Sequence, residues 1–296
     1  MNNCLLLDYS TAPGRMQFNM RVIEIKLITE TVAKLCIEAN CYADEGIVAA
    51  FKKAHACEQL ELPKSALETL IKNAEIATEH KLPICQDTGM VVVFVELGCD
   101  VFVKGDISSA INDGVRLGYR EGYFRNSIVS DPLGERVNTH DNTPAVIYYD
   151  FNSELGEQIK ITVAPKGFGS ENMSGVEMLK PSDGVEGMEN FVVDMVRKAG
   201  SNPCPPIIVG VGIGGTMDKA ALLSKQALLR EIGSPLTELE SRLLERINAL
   251  KIGVAGSGGK TTALAVHILE HPTHIAGLPV AVNIGCHVTR HKVAVL

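Results

Sequence analysis

The stretch Leu82-Pro83-Ile84-Cys85-Gln86-Asp87-Thr88-Gly89-Met90 runs directly into Val91-Val92-Val93-Phe94-Val95, and this junction constrains the fold more than any other part of the chain. The apolar run specifies a buried strand. Pro83 disfavours helix at the residue before it and Gly89 admits a positive φ, so a loop leads into that strand. A thiol, an amide, a carboxylate and a hydroxyl therefore stand side by side on a turn. Nucleophilic catalysis by Cys85 is the first chemistry that such a turn suggests.

At 296 residues the chain can bury a sizeable core, as one large domain or two ordinary ones. Its 46% hydrophobic and 21% charged residues exclude the disordered and coiled-coil classes. A net charge of −7, 5% aromatic residues and no Trp argue against a nucleic-acid partner, although a small anionic substrate needs only a few local cations. The longest apolar stretches, 205–215 and 275–285, are glycine-interrupted and far short of the ~20 residues that span a bilayer, so no membrane segment is expected. Eight cysteines (4, 36, 41, 57, 85, 99, 204 and 286) without a cleavable signal peptide predict reduced thiols and a cytoplasmic protein.

Residues 1–21 have no clear periodicity and read as a poorly specified lead-in, leaving 22–296 as a single unit without repeats or linkers. Helical apolar spacing predicts three helices between 26 and 79, broken at Asp44-Glu45-Gly46 and Leu62-Pro63. Asp106 is a candidate N-cap for a helix running towards Gly122, with Arg125 on the loop that follows. The turn-rich segments 130–136 and 139–144 predict a long loop feeding a hairpin of strands 145–149 and 159–163. Further on come a helix over 184–198, a buried strand over 207–215, helices over 217–230, 236–250 and 261–270, and a strand over 275–284. The fold class is α+β: an N-terminal helical section followed by short-stranded mixed sheets packed with helices.

Cys85, Cys204 and Cys286 each sit on a Pro- or Gly-flanked loop, whereas Cys36 and Cys57 lie within helical patterns. Their long separations form no local ligand motif, and unrelated thiols are the plain reading; a zinc or iron–sulfur site is open to them if the fold brings them together. Gly253-Val254-Ala255-Gly256-Ser257-Gly258-Gly259-Lys260-Thr261 invites a phosphate-loop reading, but Val254 stands where the first glycine of that pattern belongs. Backbone amides there, with Lys260, remain candidates for binding a carboxylate, against a structural turn with a solvated lysine. Arg125 is a candidate carboxylate clamp or a surface arginine, and His274 a proton carrier or a capping histidine. Asp87 is a candidate general acid, against an Asx-turn carboxylate that holds its own loop.

Four motifs in order, Cys85-Gln86-Asp87-Thr88-Gly89, Lys166-Gly167-Phe168-Gly169-Ser170-Glu171-Asn172, Asn202-Pro203-Cys204-Pro205-Pro206 and Thr273-His274-Ile275-Ala276-Gly277-Leu278-Pro279-Val280-Ala281-Val282-Asn283, closely resemble the class I, iron–sulfur-dependent fumarate hydratases. The resemblance runs from about residue 22 to the end. It implies a [4Fe–4S] cluster on Cys85, Cys204 and Cys286 with one iron free of protein ligands, acting as a Lewis acid on a dicarboxylate substrate. It also implies that Gln86, Asp87, Arg125 and the amides around Gly167 and Gly169 bind substrate carboxylates, and that Asp87 and His274 handle the hydroxyl proton.

In the family a second region supplies the base at C3, so the resemblance implies an α subunit completed by a separate β chain in a higher-order heteromer. Hydration of fumarate to L-malate is the leading expectation. L(+)-tartrate dehydratase α is the near alternative, with the 166–172 loop favouring fumarate. Two readings from other classes compete: an anion- or nucleotide-binding module built on the Lys260 loop, and a structural zinc subunit.

Overall fold

The computed structural model describes residues 20–296, so most of the expected lead-in, 1–19, lies outside the described residues. A short strand β1 (Arg21–Glu24) precedes three helices, α1 (Ile25–Cys41), α2 (Glu45–Cys57) and α3 (Glu61–His80), which form the expected N-terminal helical section. There follow β2 (Met90–Leu97), β3 (Val101–Lys104), α4 (Ile107–Glu121), β4 (Val146–Phe151), β5 (Ile159–Lys166), the single turn α5 (Phe168–Glu171) and β6 (Gly175–Leu179). The remainder comprises α6 (Gly184–Ala199), β7 (Ile207–Gly214), α7 (Met217–Ala227), α8 (Glu238–Asn248), β8 (Ala263–His271), β9 (Leu278–Gly285) and β10 (Lys292–Val295). The fold is α+β.

Two four-stranded sheets, ordered β10-β5-β2-β4 and β6-β9-β7-β8, share one pattern of pairing. In each, a central strand (β2 or β7) lies parallel to the strand after its crossover helices (β4 or β8) and antiparallel to the next one (β5 or β9). An outer antiparallel strand, β10 or β6, completes each sheet. The chain thus folds as two β-α-β-β units of like topology, a repeat carried by the backbone and not by the residues.

Alternation along β2 shows how the layers stack. Val91, Val93 and Val95 join a core with Ile28, Val32 and Leu35 of α1 and Ile111 and Val115 of α4. The opposite face, Val92 and Phe94, looks towards Leu228 and Leu229 at the end of α7, across a cavity. The second sheet buries Val209 and Val211 against Val192 and Val196 of α6 and Leu243 and Ile247 of α8. Five layers result, helix, sheet, α7, sheet, helix, with the cavity in the central one.

Glycines set two of these spacings. A Cβ on Gly114 would lie 2.7 Å from Val32 Cβ, and one on Gly118 would lie 2.7 Å from the Ala33 carbonyl, so α4 crosses α1 in near backbone contact. A Cβ on Gly212 would lie 2.0 Å from the Ala220 carbonyl, which is how α7 comes down onto β7. Asp106 caps α4 as expected, accepting from Ser108 N at 2.9 Å.

Two local expectations are overturned. The segment 261–270 is not a helix: Ala263–His271 is β8, paired with β7 along its length, and burial between neighbours outweighs its helical spacing. Strands β4 and β5 form no hairpin with each other; β2 lies between them. The strands β1, β3, β6 and β10 carry too short a pattern to announce themselves. The seven described cysteines are all unpaired thiols, and no described helix is long and apolar enough to cross a membrane.

Candidate functional site

The loops that enter and leave the central strands meet at one place. Cys85 precedes β2, Cys204 precedes β7 and Cys286 follows β9, and all three line a cavity of about 130 Å³ between the two sheets. Gln86, Asp87, Gly167 and Gly169 line it too. Topology therefore brings together seven of the residues singled out in the sequence.

Hydrogen bonds fix the loops to one another. Asp87 Oδ1 accepts from Gly89 N at 3.0 Å, the Asx turn, and its Oδ2 accepts from Phe168 N at 2.9 Å. Asp87 N in turn donates to Cys85 Sγ at 3.4 Å. Thr88 Oγ1 donates to the Arg125 carbonyl at 2.8 Å, which holds Arg125 beside the Cys85 loop although its side chain is exposed and does not line the cavity. Cys204 takes a left-handed φ of 55°, and its carbonyl accepts from His287 N at 3.3 Å and from His287 Nδ1 at 2.9 Å. The Cys204 and Cys286 loops are thus joined directly. Burial pushes the Cys286 thiol up, and at Cys204 burial with the nearby Cys85 and Asp87 does the same, so loading a metal there releases protons.

Behind the thiols lies an ion network that sequence reasoning missed. Glu171 accepts from Lys166 Nζ at 3.0 Å and from Lys225 Nζ at 2.7 Å, and Asn283 Nδ2 lies at 3.3 Å. Burial by itself raises the Glu171 carboxyl, but the two ammonium groups overcome it and hold the group at about 2. Burial pulls Lys166 down despite Glu171, and its other donors go to Ser170 Oγ at 3.0 Å and the Ile284 carbonyl at 2.8 Å. Arg290 Nη2 donates to the Asp87 carbonyl at 2.5 Å. Lys166 and Glu171 lie within a motif noted in the sequence, and Arg290 lies four residues after Cys286; Lys225, on an ordinary amphipathic helix, carries no sequence signal.

The remaining two candidates are elsewhere. His274 is exposed, with Nδ1 accepting from Ala276 N at 3.2 Å, beside a separate apolar cavity lined by Pro181, Val185 and Ile275. It follows β8 at the end of the sheet opposite Cys204 and Cys286, roughly 25 Å away by the ~3.3 Å rise per strand residue. Lys260 is exposed and does not line the cavity. Its backbone N donates to buried Glu58 Oε2 at 2.8 Å, while Ala255 N reaches the Pro205 carbonyl at 2.8 Å and Gly258 N the Ile252 carbonyl at 2.9 Å. Those amides are spent inside the chain, and the loop opens a strand in place of a helix, so it braces the Cys204 segment and lacks the form of a phosphate cradle.

Among the described residues no three His, Cys, Asp or Glu side chains are close enough to hold a single metal ion. A cluster does not require that, since each thiolate binds a different iron. Three thiols facing one cavity, with a buried guanidinium whose Nε lacks a partner among the described residues, fit a sulfur-rich anionic group.

The sequence matches the family model described as fumarate hydratase (Fumerase) over residues 29–295. A provisionally named L(+)-tartrate dehydratase subunit alpha from Methanocaldococcus jannaschii is 42% identical over 275 residues, 90% of this chain and 96% of that protein. The L(+)-tartrate dehydratase subunit alpha of Escherichia coli strain UTI89 is 31% identical over 270 residues, 88% of each chain. The protein of the same name from strain K12 is 31% identical over 269 residues, again 88% of each.

Proposed function

The chain belongs to the fumarate hydratase (Fumerase) family of hydro-lyases, and on that premise we propose that it is the cluster-bearing α subunit of a two-chain enzyme that hydrates fumarate reversibly to L-malate. The observation that carries this reading is the meeting of Cys85, Cys204 and Cys286, from three distant loops, on one cavity. These thiolates would hold a [4Fe–4S] cluster, which when bound supplies a Lewis-acid iron that makes hydroxide a tolerable leaving group.

The rest of the chemistry falls to side chains. Gln86, exposed on the cavity lining, and Arg125, exposed on the loop tied to Thr88, are the candidates to take a substrate carboxylate. Asp87, anchored through both oxygens, is the candidate to hold the hydroxyl proton. The Phe168 amide is occupied by Asp87, which leaves the Gly167 and Gly169 backbone as candidates to contact substrate. Within one chain His274 is too far from Asp87 to share a proton with it, so a role at the substrate requires that it come from a second copy. Lys260 would bind a carboxylate only from outside the cavity. The single-domain reading of 22–296 is supported by the ties between the two units through Lys166, Glu171 and Arg290.

L(+)-tartrate dehydration is the second reading, favoured by the names of the relatives. Those names also give each relative as an alpha subunit, which supports a β partner here. The test is an anaerobic assay of the reconstituted chain with its candidate β chain on fumarate, L-malate and L(+)-tartrate. Faster turnover of fumarate, lost in Cys204→Ser, is expected; faster turnover of tartrate selects the second reading, and a cluster-loaded complex inert on all three contradicts both.

A further inference from the structure

Arg290 carries a donor that nothing among the described residues uses. The residue is 6% exposed, lines the thiol cavity, and has a buried Nε with no partner among the described residues. A charged N–H buried without an acceptor is more costly than an ordinary missing hydrogen bond. Its burial therefore calls for an acceptor that the described residues do not provide. The other cations of the wall are engaged: Lys166 uses three donors on Ser170, Ile284 and Glu171, and Lys225 holds Glu171.

Position selects the acceptor. The candidate carboxylate ligands Gln86 and Arg125 are exposed, whereas Arg290 is on the inner wall, one residue beyond Thr289, whose hydroxyl donates to the Cys286 carbonyl at 2.8 Å. Its Nη2 contacts the main chain of Asp87, the same residue whose N–H reaches Cys85 Sγ. The guanidinium thus stands between two cysteine loops, on the wall of the cavity that the three thiols share.

We propose that Arg290 is a positioning residue for the cluster: Nη2 ties the Cys85 loop to the Cys286 loop, and Nε–H donates to a cluster sulfur or to the Cys286 thiolate. The inference rests on the cluster reading above. A charge-assisted hydrogen bond to sulfur draws electron density from the iron, stabilises the reduced state and raises the reduction potential. Lysine keeps the charge but cannot hold both contacts with one planar fork.

The experiment compares the full-length wild type, Arg290→Gln and Arg290→Lys after anaerobic reconstitution, by iron content and redox titration. Arg290→Gln is expected to lower the reduced-to-oxidised ratio at fixed potential about tenfold, 59 mV for one electron, with Arg290→Lys in between. Unchanged potentials at wild-type iron content overturn the proposal. Should the variants fail to fold, pulsed EPR of dithionite-reduced wild type labelled with 15N-arginine decides, because Arg290 is the one arginine among the described residues that lines the cavity. An arginine-nitrogen coupling supports the hydrogen bond, and a cluster signal without it overturns Arg290's role alone. A wild type that assembles no cluster overturns the cluster reading and this inference together.

Discussion

The two β-α-β-β units share their strand pairing but contribute differently to the cavity between them. The first, built on β2, brings one thiol and the polar groups Gln86, Asp87 and the Gly167–Gly169 backbone. The second, built on β7, brings two thiols and Arg290, the latter two on the chain leaving β9. Corresponding ends of two units of like topology thus carry different groups, which the proposed function assigns mainly to substrate in the first and to the cluster in the second. The helical layers differ as well: α1 and α4 seal the first sheet from outside, whereas α7 lies inside and carries Lys225 to the cavity.

If one thiol from the first unit counts as much as two from the second, Cys85→Ser should abolish the visible absorption of the cluster as fully as Cys204→Ser or Cys286→Ser. Retention of the chromophore in Cys85→Ser would make the first unit a bystander. Next in size is Glu171→Gln, which leaves two partly buried ammonium groups without their shared partner, and about 3 kcal/mol of stability should be lost in urea denaturation. The same variant gives a pH signature. The folded carboxyl sits near 2, below its unfolded value, so the wild type's advantage over Glu171→Gln should be full above the ordinary carboxylate range and shrink as pH falls towards 2. A pH-independent difference would show that the ion network is not its source.

Smaller changes separate the outer helical layer from the inner one. Gly118→Ala and Gly212→Ala each force a Cβ against a backbone carbonyl and should cost about 1–3 kcal/mol. Only Gly212→Ala acts through α7 on the cavity, so it alone should lower the iron retained after reconstitution. Equal retention would mean that α7 does not shape the site. Lys260→Ala should be the least consequential, within about 0.5 kcal/mol and with full iron content, because its side chain is exposed outside the cavity.

How much could be read beforehand follows from where the information lies. The N-terminal helices, Asp106 as a cap and the strands around Val91 and Ile207 were legible because periodicity and punctuation are local signals. Segment 263–271 was not, since a strand paired along its length with β7 can carry helical spacing when its neighbours supply the burial. From spacing alone the thiols were visible only as three loop cysteines, and it was the family resemblance that grouped them; that they face one cavity depends on the antiparallel return of β9 beside β7, which no spacing encodes. Lys225 and the opposing end of the sheet taken by His274 are likewise consequences of topology.

The central claim is that three thiolates from the two units leave one iron open to substrate. Mössbauer spectroscopy of the 57Fe-reconstituted chain with its β partner, recorded with and without L-malate or L(+)-tartrate, tests it most directly. The account predicts a [4Fe–4S] spectrum in which substrate shifts the signal of one iron and leaves the others in place. A spectrum without that cluster, or one that neither substrate alters, would contradict it.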